Sequence, residues 1–216
     1  MLNRSTSNPS TRRIRRRSSN ERTYKLDLDA NHIESLIRWL CEESSDDFLA
    51  KAYRQRYQGL GERQQPHNQN NTWTQEDLCD VISAIQALLS SVTNPPSSMV
   101  AEAHSTIGII HQRLNQDARA TQSFMQALWV QASSDDVSPI TIGMTKTRLA
   151  LAYGRKGESQ KAISLLEKAI QDFREGGLSE EHELVTRAKE ALHAFHLAET
   201  ARRNRSNSRR ISQGAA

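Results

Sequence analysis

The residues able to do chemistry are few and scattered. The chain holds seven His and two Cys in 216 residues. The nearest approach to a zinc-protease helix is His182-Glu183, but Leu-Val-Thr follows where the second His would have to stand. His193 and His196 are spaced i, i+3, and His104 and His111 lie two turns apart, so each pair can share a helix face. No Cys or paired carboxylate joins either pattern, so these are expected to be packing or solvated histidines and no metal site is expected. Cys41 and Cys79 have no neighbouring motif, and the chain contains no phosphate-binding glycine loop, dinucleotide fingerprint or nucleophile elbow. The sequence therefore offers no catalytic residue and no cofactor site, and a non-enzymatic protein is expected.

A different chemistry is written at the two ends. Arg16-Arg17-Ser18-Ser19 and Arg209-Arg210-Ile211-Ser212 place paired arginines just ahead of serines, as basophilic kinases prefer, so Ser18, Ser19 and Ser212 are phosphorylation candidates. A phosphate adds about −1.5 to −2 charge and would weaken any contact of these ends with an acidic surface, RNA or lipid. Residues 1–20 carry six Arg and no acid, and residues 202–216 five Arg and no acid. Removing those eleven charges from the overall +4 leaves 21–201 at −7. An acidic body between basic ends is a poor composition for a folded surface that grips nucleic acid, which leaves nucleic-acid binding through the tails as the competing reading.

No apolar run approaches the roughly 18 residues of a membrane-spanning helix. Two cysteines cannot build a disulfide framework and no apolar stretch follows Met1, so a reducing, cytoplasmic location is expected. The RRIRRR cluster at 12–17 leaves nuclear or organellar targeting as the alternative.

The elements that must position any site read as helices throughout. A basic arm over 1–24, expected to be disordered, precedes Leu26, Ile33, Leu36, Ile37 and Leu40, which repeat every three to four residues. A second helix over SDDFLAKAYRQRYQGL is expected to be capped by Ser44 or Ser45 and to place Phe48, Ala52 and Tyr53 on one side, giving a helical pair at 25–58. The stretch 59–72 has no aliphatic residue after Leu60 and reads as a polar linker. Thr72 to residue 201 is helical in pattern, with the Asn-Pro-Pro at 94–96 as punctuation. Helices are expected at about 74–91, 98–114, 117–132, 138–156, 159–175 and 180–202, and a disordered basic tail at 202–216. The last of these helices is expected to turn Leu184, Ala188, Ala191, Phe195 and Ala198 to one side.

Within that span, HSTIGIIHQRLNQDARATQSFMQALW and KTRLALAYGRKGESQKAISLLEKAI superimpose without a gap at a shift of 42. The shift pairs Ile107 with Leu149, Gly108 with Ala150, His111 with Tyr153, Asn115 with Gly157, Ala120 with Ala162, Phe124 with Leu166 and Ala127 with Ala169. Small residues recur where two helices would cross, and Asn and Gly recur where a helix would end in the left-handed conformation.

This arrangement of small, large and turn residues resembles the tetratricopeptide repeat, and the period of 42 resembles its kinesin light chain variant. The resemblance implies an all-α fold, a short α-solenoid of antiparallel helix pairs over 73–201. It further implies a concave wall lined by first helices. On that wall the resemblance places Glu102, Ser105, Thr106, Ile109, Gln112 and Arg113 from one unit, and Met144, Thr147, Arg148, Leu151 and Arg155 from the next. The implied groove is formed by Ser105, Ile109, Gln112, Arg113, Thr147, Arg148, Leu151 and Arg155, and its partner is a protein or acidic peptide, since guanidinium pairs with carboxylate in a bidentate fashion.

Overall fold

The computed structural model describes residues 30–58, 73–134 and 137–214, with side chains described as far as Ser206. The arm at 1–24, Leu26, the linker at 59–72, Ser18 and Ser19 lie outside the described residues. Among the described residues the protein is all-helical, with no strand and a single isolated bridge between Ser44 and Val92.

The apolar period of Ile33, Leu36, Ile37, Leu40 and Cys41 becomes the buried stripe of α1 (Ala30–Glu43). The next helix, α2 (Asp47–Tyr57), is capped by Asp46, whose carboxylate accepts the Leu49 amide at 2.9 Å, and not by either serine. The serines are used elsewhere: Ser44 Oγ lies 2.7 Å from Ser91 Oγ, and the Ser45 amide donates to the Ser91 carbonyl at 3.0 Å. These bonds clip the α1–α2 link onto the end of α3 (Gln75–Ser91). Packing of α2 on α1 and α3 buries Ala50 and Tyr57, while Phe48 is 85% exposed and Ala52 is also exposed. Thr74 opens α3 with a reciprocal cap: its hydroxyl accepts the Asp77 amide, and the Asp77 carboxylate accepts the Thr74 amide.

Four helices of matching length follow: α4 (Ser97–Arg113), α5 (Asp117–Ala132), α6 (Pro139–Arg155) and α7 (Ser159–Glu175). The start and end of α4 and the start of α5 recur in α6 and α7 at a shift of 42. So does the turn chemistry. Asn115 and Gly157 take φ of 56° and 80°. In each turn the next amide reaches back to close the helix, from Gln116 to the His111 carbonyl at 2.8 Å and from Glu158 to the Tyr153 carbonyl at 2.9 Å. Gly177 and Leu178 close α7 in the same way.

The chain ends in α8 (Glu183–Gly214). Helix here continues well past residue 202, so the expected disordered tail is corrected to helix up to Gly214, and Ser212 falls within it. Its buried residues are Val185, Ala188 and Ala191, with Leu184 and Phe195 half-buried and Ala198 exposed. Successive helices from α3 to α8 pack on one another, with α1 resting on α2, α3 and α4. The helices α1 and α2 therefore share one apolar core with α3, α4 and the near sides of α5 and α6. A second core joins the far side of α6 to α7 and α8.

Gly108 and Phe124 explain how α4 and α5 approach. A Cβ on Gly108 would stand 2.6 Å from the fully buried Phe124 ring. At the equivalent places Ala150 and Leu166 are both fully buried in one core: a smaller partner residue accompanies a larger crossing residue. Gly108→Ala is expected to cost about 1–3 kcal/mol through overpacking. Adding Phe124→Leu should recover most of it by recreating the Ala150 and Leu166 combination. Urea denaturation of the two single variants and the double variant measures the coupling; strictly additive losses would show that the two residues do not constrain each other.

Candidate functional site

Between Ser105 and Gln112 every residue of α4 is buried. A helix enclosed on all sides cannot leave its polar groups to water, so each must find a partner in a neighbouring helix. The helices α1 and α6 supply those of Thr106, Ser105 and Gln112, and the following turn supplies that of His111.

On the α6 side, Arg148 Nη1 donates to Ser105 Oγ at 2.8 Å, and the Gln112 amide donates to the Arg148 carbonyl at 3.4 Å. Arg155 Nη1 donates to the Gln112 carbonyl at 3.1 Å and lies 3.7 Å from the Asp117 carboxylate at the start of α5. Ser105 and Gln112 are two turns apart on α4, as Arg148 and Arg155 are on α6, so the bonds form successive rungs of one ladder. Ile109 and Leu151, both buried, are the apolar residues at the middle of these two spans. On the α1 side, His32 Nε2 lies 2.7 Å from Glu102 Oε1 and 3.2 Å from Thr106 Oγ1. A polar row thus runs from α1 across α4 to α6.

The Glu102 carboxyl is held below its ordinary range, first by the His32 hydrogen bond and then, against the cost of burial, by the charges of His32 and Arg148. Arg148 is the costliest member. Burial draws its guanidinium down from the ordinary value, with Glu102 opposing, and its Nε is enclosed without a hydrogen-bond partner.

The eight groove residues separate into distinct roles. Ser105, Gln112, Arg148 and Arg155 are brought together by hydrogen bonds, and Ser105, Ile109, Gln112 and Leu151 are buried within the helix contacts. Thr147 donates to the Gly143 carbonyl of its own helix at 2.8 Å. Arg113 is exposed, and the Arg155 side chain, 3.7 Å from the Asp117 carboxylate, is 42% exposed.

The histidines take separate places. His111 is buried, with Nδ1 2.9 Å from Gln116 Oε1, and its pKa is lowered chiefly by burial. His104 is half-buried and is also shifted down by burial, while His193 and His196 are exposed. Among the described residues no three His, Cys, Asp or Glu cluster in a way that could hold a metal. No helix among them is long and apolar enough to cross a membrane.

Two features escape a reading of the sequence. His32 precedes the repeated segment and carries no motif; only the packing of α1 on α4 brings it to Glu102. The second feature is an open cleft of about 480 Å³ between α5 and the α6–α7 turn, where Met125, Trp129 and Tyr153 meet Lys156 and Lys161. Trp129 is 73% exposed there.

The depressed Glu102 carboxyl contributes stability that is fully present above its ordinary value of 4.5 and is lost as pH falls through its lower folded value. Glu102→Gln should therefore melt below the wild-type protein at pH 7, with the gap closing toward pH 3, in thermal denaturation followed by circular dichroism. A constant gap at every pH would remove the Glu102 charge from the stability balance. Compared with protein-family models, curated proteins and solved structures, the chain matches none.

Proposed function

We propose that the chain is a non-enzymatic adaptor, a short α-solenoid of antiparallel helix pairs of the tetratricopeptide type and similar to the kinesin light chain variant, that binds an acidic peptide segment of a partner protein. The reading is supported by the recurrence of helix ends and left-handed turn residues at a shift of 42. On this reading α4 and α5 form one unit and α6 and α7 the next. The helices α1 and α3 take the place of a preceding unit into which α2 is inserted, and α8 opens a following one.

The observation that carries the binding surface is the setting of Arg148 and Arg155 against α4, beside the exposed Arg113. Each guanidinium has five N–H donors, and the bonds described above use only part of that capacity in Arg148 and Arg155. Arg113 and Arg155 occupy equivalent places in successive first helices, about 10 Å apart at the usual helix packing distance. Acidic residues three apart on an extended peptide match that spacing at roughly 3.3 Å per residue. Holding Arg148 largely enclosed with an unpartnered Nε costs stability, which fits a residue retained for recognition.

The test is fluorescence anisotropy with a labelled extended peptide bearing two Glu three residues apart, beside its Gln counterpart. Binding is expected for the Glu peptide only, to weaken with salt, and to be lost in the Arg113→Ala, Arg148→Met, Arg155→Ala triple variant. The Arg148→Met variant alone should lose about 1–3 kcal/mol, because the buried Ser105 hydroxyl is left without its donor, so circular dichroism must first show the triple variant folded. Equal binding of the Glu and Gln peptides, or full binding by the triple variant, would sink the proposal.

A second reading, nucleic-acid association through the Arg-rich ends with the helical body serving dimerisation, is favoured by the continuation of α8 as helix through Arg202, Arg203, Arg205, Arg209 and Arg210. A gel shift with RNA at two salt concentrations, with and without residues 202–216, decides it. Steeply salt-dependent binding that disappears with the truncation supports this reading.

A further inference from the structure

Four large apolar side chains remain exposed among the described residues: Leu197 on α8, Met125 and Trp129 on α5, and Phe48 at the start of α2, and the last two places differ in charge. One is the cleft beside α5, where Met125 is 51% exposed and Trp129 73% exposed. Its floor is tied by the Tyr153 hydroxyl, which donates to Met125 Sδ at 3.6 Å. Its rim carries Lys156 and Lys161, with Nζ atoms 5.5 and 5.1 Å from the centre of the Tyr153 ring. Both ammonium groups share a single carboxylate, Glu158, at 2.9 and 2.6 Å, so the rim keeps one positive charge in excess.

The other place is the start of α2. Phe48, 85% exposed, is the outermost of the large apolar side chains described, and it follows four exposed acids, Glu42, Glu43, Asp46 and Asp47. No Lys or Arg lies between Arg38 and Lys51, which stand one turn from Glu42 and Asp47, so the segment is net acidic. An aromatic ring preceded by carboxylates is the complement of an aromatic and thioether cleft rimmed by ammonium groups. The two cannot serve one another along a short path within one chain, because α2 rests on α1 and α3 while the cleft is built from α5, α6 and the start of α7.

We propose that Phe48 of one copy of this chain docks in the Met125, Trp129 and Tyr153 cleft of a second copy, with the 42–47 carboxylates facing Lys156 and Lys161. The contact joins two different surfaces, so each copy keeps one unused Phe48 or one unused cleft and the association is head-to-tail and open-ended. A single aromatic side chain and a few rim charges make a small interface, and assembly therefore depends on protein concentration and weakens with salt.

Sedimentation velocity of the full chain over a concentration series tests this. The wild-type protein should shift from monomer toward a broad distribution of larger species, and the shift should shrink at high salt. Phe48→Ala and Trp129→Ala each remove an exposed side chain, so both variants should keep the wild-type circular dichroism and melting curve, and each alone should stay monomeric. Mixing the two is the decisive arm. Phe48→Ala retains an intact cleft and Trp129→Ala an intact Phe48, so the mixture should form a dimer that grows no further. A wild-type chain that is monomeric at every concentration, assembly that survives both substitutions, or a mixture that remains monomeric would overturn the proposal. The arginine row takes no part in this contact, so an Arg113→Ala, Arg155→Ala variant should assemble as the wild-type chain does.

Discussion

The enclosure of α4 between Ser105 and Gln112 is the constraint on which the remaining structure depends. With α1 and α3 on one flank, α5 beside it and α6 on the other flank, no strip of this helix meets water over two turns. Gly108 is required because α5 comes close enough to set Phe124 on the backbone. The polar residues Ser105, Thr106, His111 and Gln112 are each matched with a group from another helix or the following turn, since a buried donor or acceptor left alone costs about 1–3 kcal/mol. The row of bonds from His32 to Arg155 is thus first a consequence of burial, and its chemistry is what burial leaves over.

The second helix under such pressure is α6. Leu149 and Ala152 belong to the core shared with α1, α3 and α4, whereas Ala150 and Leu151 belong to the core shared with α7 and α8. Small residues on both sides of one helix let two cores form only a helix diameter apart. The approach continues at Gly154, where a Cβ would collide with the Phe195 ring of α8. Because α6 is common to both cores, disturbing it should reach each end of the molecule, a coupling that a pair of separately folded modules would lack.

Electrostatics divides along the same lines. The body between the ends is acidic by sequence, yet arginine is concentrated at the seam of α4 and α6 and lysine at the cleft beside α5. The seam holds its cations through hydrogen bonds to α4, which orient them. The cleft holds its cations beside a tyrosine ring and the Glu158 carboxylate, at the surface. The first arrangement suits recognition of a defined carboxylate spacing, and the second suits a looser, salt-sensitive contact.

Much of the architecture is determined by residues that act over one turn of chain. The apolar period of α1, the Thr74 and Asp77 cap, the Asn115 and Gly157 turns and the shift of 42 are all local, so the helices and their repetition are legible in the sequence. Local reading failed at α2, where Asp46 rather than Ser44 or Ser45 is the cap and where packing on α1 and α3 leaves Phe48 in solvent and puts Ala50 and Tyr57 in the core. It failed also at the end of the chain, where an Arg-rich composition suggested disorder and helix continues to Gly214. The candidate site was legible only in part. The resemblance to a repeat placed Arg113, Arg148 and Arg155 on one expected wall, but a resemblance does not say how many neighbours a helix has. The unbroken run Thr106-Ile107-Gly108-Ile109-Ile110 carries no period and thereby no preferred face, and only tertiary packing decided that Ser105, Ile109 and Gln112 lie inside, that His32 meets Glu102 from 70 residues away, and that Trp129 remains outside.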